Sequence, residues 1–219
     1  MPEKHDIVEL EIHDIAYGGD GVGRLPDGMT VFVPFAALGD HLKVKLYQVK
    51  KRFARGGIQE ILAPSPHRIK PRCPLFQRCG GCQYQHLRPA AERDIKIRQL
   101  AALLQRVGGL QDIPDIETPI HETPVWNYRN KVSLHPGKNG PGFLALDNKT
   151  VVNVKDCPIA RPGLNQRLSS YRDARREFTL REDARGLVCE AVRGSEAWLT
   201  EELLGHEVKV PLTGFYHIG

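Results

Sequence analysis

The sequence lacks any apolar run that approaches the roughly 20 residues needed to cross a bilayer as a helix. Residues 1–11 are acidic and polar, without the basic start and apolar stretch of a secretory signal, so we expect a cytoplasmic protein. Internal repeats and low-complexity tracts are also missing, which argues against solenoid and disordered architectures. Hydrophobic residues nonetheless make up 41% of the 219 positions, which is enough for a packed core.

A cofactor-binding glycine loop is missing as well. The stretch 18–23 reads Gly-Gly-Asp-Gly-Val-Gly, which lacks the G-x-G-x-x-G spacing and precedes no helical pattern. Its glycines suit turns that require positive φ. The sequence therefore predicts no nucleotide-cofactor loop, and we assign no catalytic residue.

Positive charge is concentrated in the middle of the chain. The net charge is +5, and residues 67–138 hold 12 Lys and Arg against 6 Asp and Glu. A basic zone of this kind is typical of proteins that bind polyanions, although a small excess is also common in other proteins. The charge pattern thus favours a nucleic-acid partner without requiring one.

Residues 7–63 have the pattern of a small all-β unit. Val8, Leu10 and Ile12 alternate with polar neighbours, as in a half-buried strand. Further short β-prone segments are separated by Pro-Asp-Gly and Leu-Gly-Asp turns and lie at 29–35, 42–49 and 57–62. Five short strands in about 60 residues predict an OB-like barrel over residues 1–63.

Residues 64–213 mix helical and strand patterns. One helix is predicted from Pro89 to Gly108, and a second from about 163 to 177. The apolar face of the first comprises Ile97, Leu100, Leu104 and Val107. Strands are predicted at 129–135, 143–146, 151–154, 187–192, 197–200 and 207–210. This order predicts an α+β domain with an antiparallel sheet.

Three of the five cysteines lie within ten residues. They form the pattern Cys73-x5-Cys79-Gly-Gly-Cys82, and 74 further residues separate Cys82 from Cys157. In a cytosolic protein such clustering indicates a metal or redox site rather than disulfides. Iron–sulfur clusters need several thiolates that converge on one point, and paired glycines let a loop fold tightly around the inorganic core. We therefore predict an iron–sulfur cluster held by these four cysteines.

Other interpretations of the cysteines remain open at this stage. Zinc could be held by the three clustered cysteines and His86, which lies four residues after Cys82. Free thiols are a further alternative. Cys189 lies inside a predicted strand, so we expect it to be a small buried apolar residue rather than a ligand.

The run 41–59 contains six cations and no acidic residue. Lys43 and Lys45 alternate with apolar residues and so share one face of a strand, while Tyr47 and Phe53 could stack on bases. The alternative is an ordinary solvated strand. The predicted RNA contacts are Lys43, Lys45, Lys50, Lys51, Arg52 and Arg55, together with Arg129 and Lys131 farther along the chain.

The loop 73–86, Cys-Pro-Leu-Phe-Gln-Arg-Cys-Gly-Gly-Cys-Gln-Tyr-Gln-His, resembles the cluster loop of the RNA (uracil-5-)-methyltransferases that act on large-subunit rRNA or tRNA. Residues 7–63, with Gly-Gly-Asp-Gly-Val-Gly and Val-Phe-Val-Pro, resemble the TRAM domain of that family, an OB-like RNA-binding barrel. Trp-Asn-Tyr-Arg-Asn-Lys at 126–131 resembles a central-domain segment, and Cys157 matches the fourth cluster ligand. Gly-Phe-Tyr-His-Ile-Gly at 214–219 resembles the start of the methyltransferase domain.

This resemblance implies a structural [4Fe–4S] cluster and a structured RNA partner, rRNA or tRNA, that is methylated from S-adenosylmethionine. It places Phe215 and His217 on the substrate side, although His217 stands where the family has Gln and Gly219 where it has Asn. It also implies that only the start of the Rossmann-like methyltransferase domain is present, at 214–219, so that the chain alone would be inactive. The alternative is a non-enzymatic iron–sulfur module that binds RNA as a scaffold. Neither a membrane nor an oligomer is implied.

Overall fold

The computed structural model describes residues 2–113, 115–116, 124–171, 175–192, 194–203, 205–212 and 214. The chain divides into two compact units, Met1–Pro71 with Gln83–Ile120 and Arg72–Cys82 with His121–Gly219. The predicted domains, 1–63, 64–213 and 214–219, stay predictions. Among the described residues, no helix is both long enough and apolar enough to cross a membrane.

The first unit contains a closed five-stranded barrel. Its strands are β1 (Ile7–Ile15), β2 (Gly21–Arg24), β3 (Thr30–Val33), β4 (His41–Val49) and β5 (Phe53–Ala63). They are hydrogen-bonded in the order β1-β2-β3-β5-β4, and β4 pairs with β1 to close the barrel. All neighbours run antiparallel except the parallel pair β3 and β5.

Alternation along the strands fills this barrel. In β4, Leu42, Val44 and Leu46 are fully buried, whereas the lysines between them reach the surface. Gly18 and Gly19, in the turn from β1 to β2, have φ angles of +97° and +100°. Glycine adopts this left-handed conformation without strain, so the glycine-rich stretch serves the barrel as a turn.

Helix α1 (Pro89–Arg106) follows the barrel in the first unit. Ile95 is buried in the same core cluster as the barrel residues. The Gln99 amide donates hydrogen bonds to the carbonyls of Ile15 (3.2 Å) and Ala16 (2.8 Å). These contacts fix the rotation of the helix, so the predicted apolar face is not the buried one, and Val107 is 82% exposed.

A buried carboxylate joins the barrel to the segment that follows it. Asp40 is fully buried and accepts hydrogen bonds from the amides of Ala37 (2.6 Å) and Ser65 (2.9 Å). The Arg68 guanidinium donates to the same carboxylate at 2.6–3.0 Å and to the Phe35 carbonyl. Burial by itself would raise the pKa of Asp40, but the guanidinium and the two amides hold it below its ordinary value.

The second unit contains short antiparallel strands. They are β6 (Lys131–Leu134), β7 (Gly142–Leu144), β8 (Val151–Asn153), β9 (Phe178–Glu182), β10 (Val188–Ala191), β11 (Trp198–Leu203) and β12 (His206–Pro211). They form three sheets, ordered β10-β9-β6, β11-β12 and β7-β8, where the sequence predicted one. The alternation pattern locates strands, but it does not determine which strands pair.

Helix α2 (Pro162–Ser170) lies between β8 and β9. It is shorter than predicted, because Tyr171 has extended backbone angles. Leu164 and Leu168 are buried in one core cluster with Cys157 and with residues of β6 and β9. The fourth predicted cluster ligand therefore lies in the packed interior of the second unit.

Candidate cysteine centre and nucleic-acid interface

The first three cysteines lie on a tight loop of the second unit. The Cys79 amide donates to the Leu75 carbonyl (2.9 Å), and the Gly80 amide donates to the Leu144 carbonyl of β7 (2.9 Å). A Cβ on Gly80 would lie 3.0 Å from the carbonyl oxygen of Ala145. Glycine at position 80 therefore lets the loop approach the neighbouring backbone.

Cys157 is held by a side chain of α2. The Cys157 amide donates to Asn165 Oδ1 (2.8 Å), and Asn165 Nδ2 donates to the carbonyls of Cys157 (3.0 Å) and Ala160 (3.4 Å). The Ala160 amide also donates to the Cys157 carbonyl (2.9 Å). Sequence analysis missed Asn165, since no spacing rule connects it to the cysteine before the turn and helix are placed.

Backbone amides face two of the sulfur atoms. Burial raises the pKa of the Cys79 thiol, and the Gly81 amide, 3.4 Å from Cys79 Sγ, lowers it. Burial likewise raises the pKa of the Cys157 thiol, and the amides of Ile159 and Ala160 lower it. Amide donors of this kind stabilise thiolate, the form of cysteine that binds metals.

The four predicted ligands also act on each other. Besides burial, the Cys73 thiol raises the pKa of Cys79, and the Cys82 thiol raises the pKa of Cys157. The Arg129 guanidinium lowers the pKa of Cys79 and of Cys157. One cation therefore acts on the loop and on the Cys157 turn together.

The four cysteines are residues of the type that an iron–sulfur core binds, but their side chains are not grouped around one metal position in the structure. Within the described ranges, no group of three or more Cys, His, Asp or Glu side chains is placed to hold a metal ion. Thiolates are nevertheless the ligands that such a core takes, and amide donors and a guanidinium lie beside them. The four-cysteine site stays a prediction.

His86, the alternative zinc ligand, belongs to the first unit and is 2% exposed. Its Nε2 lies 3.2 Å from the Ala36 carbonyl oxygen, and its ring packs edge-on against Phe35. Burial lowers the pKa of His86 to about 4. These contacts give His86 a structural role in the barrel unit, which weakens the zinc interpretation.

Cys189 lies in β10, away from the predicted cluster ligands in sequence and in packing. It is half-buried against a small cluster that contains Ala191, Leu199 and Val210. Burial raises the pKa of its thiol. A thiol in this environment is a packing residue rather than a nucleophile.

The predicted RNA-binding run lies on β4, β5 and the turn between them. Lys43 Nζ pairs with Glu60 Oε2 at 3.1 Å, and Arg55 Nη1 pairs with Asp20 Oδ2 at 3.1 Å. The turn 50–52 is exposed, and the ion pairs of the described residues do not involve it. The turn thus offers three cations that are not neutralised by neighbouring carboxylates.

Aromatic rings lie beside this run. Phe53 packs edge-on against Phe32, with ring centroids 5.9 Å apart, and the Arg55 guanidinium lies 5.6 Å from the Phe32 centroid. Both rings are partly exposed, and Tyr47 is 46% exposed. Sequence analysis missed Phe32. The available signal was strand alternation, which turns Phe32 outward between the buried Val31 and Val33.

The two predicted contacts of the second unit have other partners. Arg129 acts on the cysteines, and Lys131 Nζ donates to the Gly214 carbonyl at 2.8 Å. Asn130, between them, is buried and donates to Glu201 Oε1 at 3.2 Å. The predicted substrate-side residues Phe215 and His217 lie outside the described residues.

Comparison with known proteins identifies relatives of this chain. Residues 4–58 match the TRAM domain family. The chain is 35% identical to an uncharacterized RNA methyltransferase of Nostoc sp., over 76% of the chain and 37% of the relative. It is 30% identical to an uncharacterized RNA methyltransferase of Halalkalibacterium halodurans, over 81% of the chain and 39% of the relative. The chain thus spans less than two-fifths of the length of these relatives.

The comparison with solved structures corrects the predicted fold class. A Pyrococcus abyssi tRNA (uracil-54, C5)-methyltransferase, solved with S-adenosyl-L-homocysteine, covers 94% of this chain with a TM-score of 0.62 and 19% identity. The aligned part is 60% of that chain. We predicted an OB-like barrel and an α+β domain, with the Rossmann-like methyltransferase domain absent. The barrel is present, but the predicted absence is wrong, because nearly the whole chain shares its fold with a methyltransferase. A missing glycine motif is a poor test of fold, since packed elements, rather than one loop, define it.

Proposed function

We propose, on the premise that this chain carries a TRAM domain and is related to RNA methyltransferases, that it binds structured RNA for methylation of uracil C5 from S-adenosylmethionine. Ribosomal RNA is the proposed substrate. The observation that carries the proposal is the TRAM barrel, since residues 4–58 match that family and the same barrel exposes the cationic turn 50–52 beside aromatic rings.

The barrel surface offers both kinds of contact that RNA needs. The exposed cations of the turn 50–52 and of Lys45 can reach phosphate oxygens, and such contacts release counterions. The rings of Phe32, Phe53 and Tyr47 are partly exposed, and unpaired bases stack on the faces of such rings. This pairing of charge with aromatic surface favours single-stranded loops within a structured RNA.

The second unit is proposed to hold a [4Fe–4S] cluster through Cys73, Cys79, Cys82 and Cys157. These cysteines, which lie in the cysteine loop and in the turn before α2, would hold the cluster through iron–thiolate bonds. Asn165 holds the main chain of Cys157, and the Gly81 amide donates to Cys79 Sγ. We assign the cluster a structural role.

The direct test is the modification state of RNA in cells that lack the gene. Deletion should remove one 5-methyluridine from ribosomal RNA, measured by nucleoside mass spectrometry of rRNA and tRNA fractions separately. Loss of 5-methyluridine from tRNA instead would support the proposed reaction but show that tRNA, rather than rRNA, is the substrate. An unchanged 5-methyluridine content in both fractions would contradict the proposed reaction.

Complementation connects the reaction to the structure. A wild-type gene should restore the modification, and a gene with Lys50, Lys51 and Arg52 changed to Ala should restore it less efficiently at equal protein level. Retention of RNA cross-linking by the chain, together with unchanged 5-methyluridine after deletion, is the result expected of a scaffold protein.

A further inference from the structure

Arg129 is fixed by its main chain beside the Cys157 turn. Its amide donates to the Ile159 carbonyl (2.8 Å), and its carbonyl accepts from the Arg161 amide (2.9 Å). These two bonds form a parallel bridge between Arg129 and Ala160. The backbone of Arg129 therefore runs alongside the turn that presents the fourth cysteine.

The guanidinium of Arg129 lies beside the loop that contains the other three cysteines. A methyl group on Gly81 would lie 3.5 Å from Cys79 Sγ and 3.8 Å from Arg129 Nη1, so sulfur and guanidinium border the same space. The main chain of Arg129 meanwhile runs alongside the turn that contains Cys157. The Arg129 side chain is half-buried, and burial strengthens electrostatic interactions, because water screens them less.

We propose that Arg129 is a counter-charge for the cysteine centre, a positioning residue that holds the cysteine loop and the Cys157 turn together, rather than an RNA contact. This inference rests on the proposed [4Fe–4S] cluster. Four thiolates bring more negative charge than the inorganic core neutralises, so a nearby cation stabilises the assembled centre. The same cation favours reduction, since the reduced centre is more negative, and net charge is one determinant of cluster potential.

The experiment compares Arg129→Gln and Arg129→Lys with wild-type protein purified without oxygen. Arg78→Gln is the matched control, because Arg78 is an exposed arginine adjacent to Cys79 in sequence. The readouts are iron and sulfide content, the rate of cluster loss to a chelator, the midpoint potential, and the salt dependence of RNA binding.

Arg129→Gln should lose its cluster several-fold faster and should lower the equilibrium constant for one-electron reduction about tenfold, which is ~59 mV. Arg129→Lys and Arg78→Gln should stay close to wild type in potential. RNA affinity and its salt slope should not change in Arg129→Gln, because the cation is committed to the thiolates.

Unchanged potential and cluster lifetime in Arg129→Gln would overturn the inference, as would a reduced salt slope of RNA binding. If Arg129→Gln does not accumulate as folded protein, Arg129→Lys decides: a stable cluster supports a role of charge, and a lost cluster contradicts it. Wild-type protein without iron and sulfide would instead refute the proposed cluster itself, so the two failures are distinguishable.

Discussion

Asp40 is a buried charge held by one guanidinium and two backbone amides. Replacing it with Asn leaves Arg68 without its carboxylate, so Asp40→Asn should destabilise the protein by about 3–5 kcal/mol at pH 7. The folded pKa of Asp40 is lowered, so its stabilisation is complete above the ordinary pKa and is lost as the pH falls through the folded value. The difference in free energy of unfolding between the wild-type protein and Asp40→Asn should therefore become smaller in acid, below about pH 4.

Urea unfolding at several pH values measures this gap. His86, whose pKa burial lowers to about 4, is present in both proteins, so its protonation affects both curves. Asp27→Asn is the control, since Asp27 is an exposed barrel carboxylate that accepts only a local bond from the Met29 amide. A gap that stays constant between pH 7 and pH 3 would show that the charge of Asp40 is not what stabilises the fold.

At the scale of strands, β5 leaves no room for a side chain at Gly56, where it pairs with β4. A Cβ there would lie 2.3 Å from Val44 Cγ1 and 3.0 Å from the Lys45 carbonyl oxygen. The adjacent Gly57 has no atom within 4 Å of the same position. Gly56→Ala should therefore lower the free energy of unfolding by about 1–3 kcal/mol, and Gly57→Ala should change it by less than about 0.5 kcal/mol.

Chemical denaturation of both variants tests this difference, because the two substitutions are identical and adjacent. Equal losses in the two variants would mean that glycine flexibility, rather than the contact with Val44, decides the cost.

The turn between β4 and β5 carries the prediction on RNA. Changing Lys50, Lys51 and Arg52 together to Ala should flatten the log–log dependence of binding on salt by roughly 2, at ~0.7 per phosphate contact on single-stranded RNA. Fluorescence anisotropy over a salt series measures the slope. Lys50→Arg with Lys51→Arg is the charge-preserving control and should keep it. An unchanged slope in the Ala variant would show that the turn is only solvated surface.

At the scale of the whole molecule, the two compact units should respond differently to loss of the cluster. All four predicted ligands belong to the second unit, so Cys157→Ser should lose iron and increase hydrogen exchange there. The barrel strands of the first unit should keep their protection. Cys189→Ser should keep both iron and protection, since Cys189 packs in a separate small cluster.

Hydrogen-exchange mass spectrometry with iron analysis distinguishes the outcomes. Iron retained by Cys157→Ser would remove Cys157 from the ligand set. An equal increase in hydrogen exchange in both units would mean that the cluster also stabilises the first unit, which does not contain it.

The sequence by itself determined the local features of this protein. Alternation in β4 located the buried Leu42, Val44 and Leu46, because a strand places successive side chains on opposite faces. Gly18 and Gly19 marked a turn that only glycine adopts without strain. The resemblance of this region to the TRAM domain rests on the same local patterns, and the family match over residues 4–58 confirms it.

Tertiary structure alone decided which distant groups meet. Only packing shows that α1 buries Ile95 instead of its predicted apolar face. The same holds for the bonds between Asn165 and Cys157 and for the place of Arg129 beside the cysteine loop. These contacts depend on the register of strands and the rotation of helices, and many pairings satisfy one hydrophobic pattern equally well. For the same reason, a missing glycine loop did not decide the fold, which is set by how the elements pack.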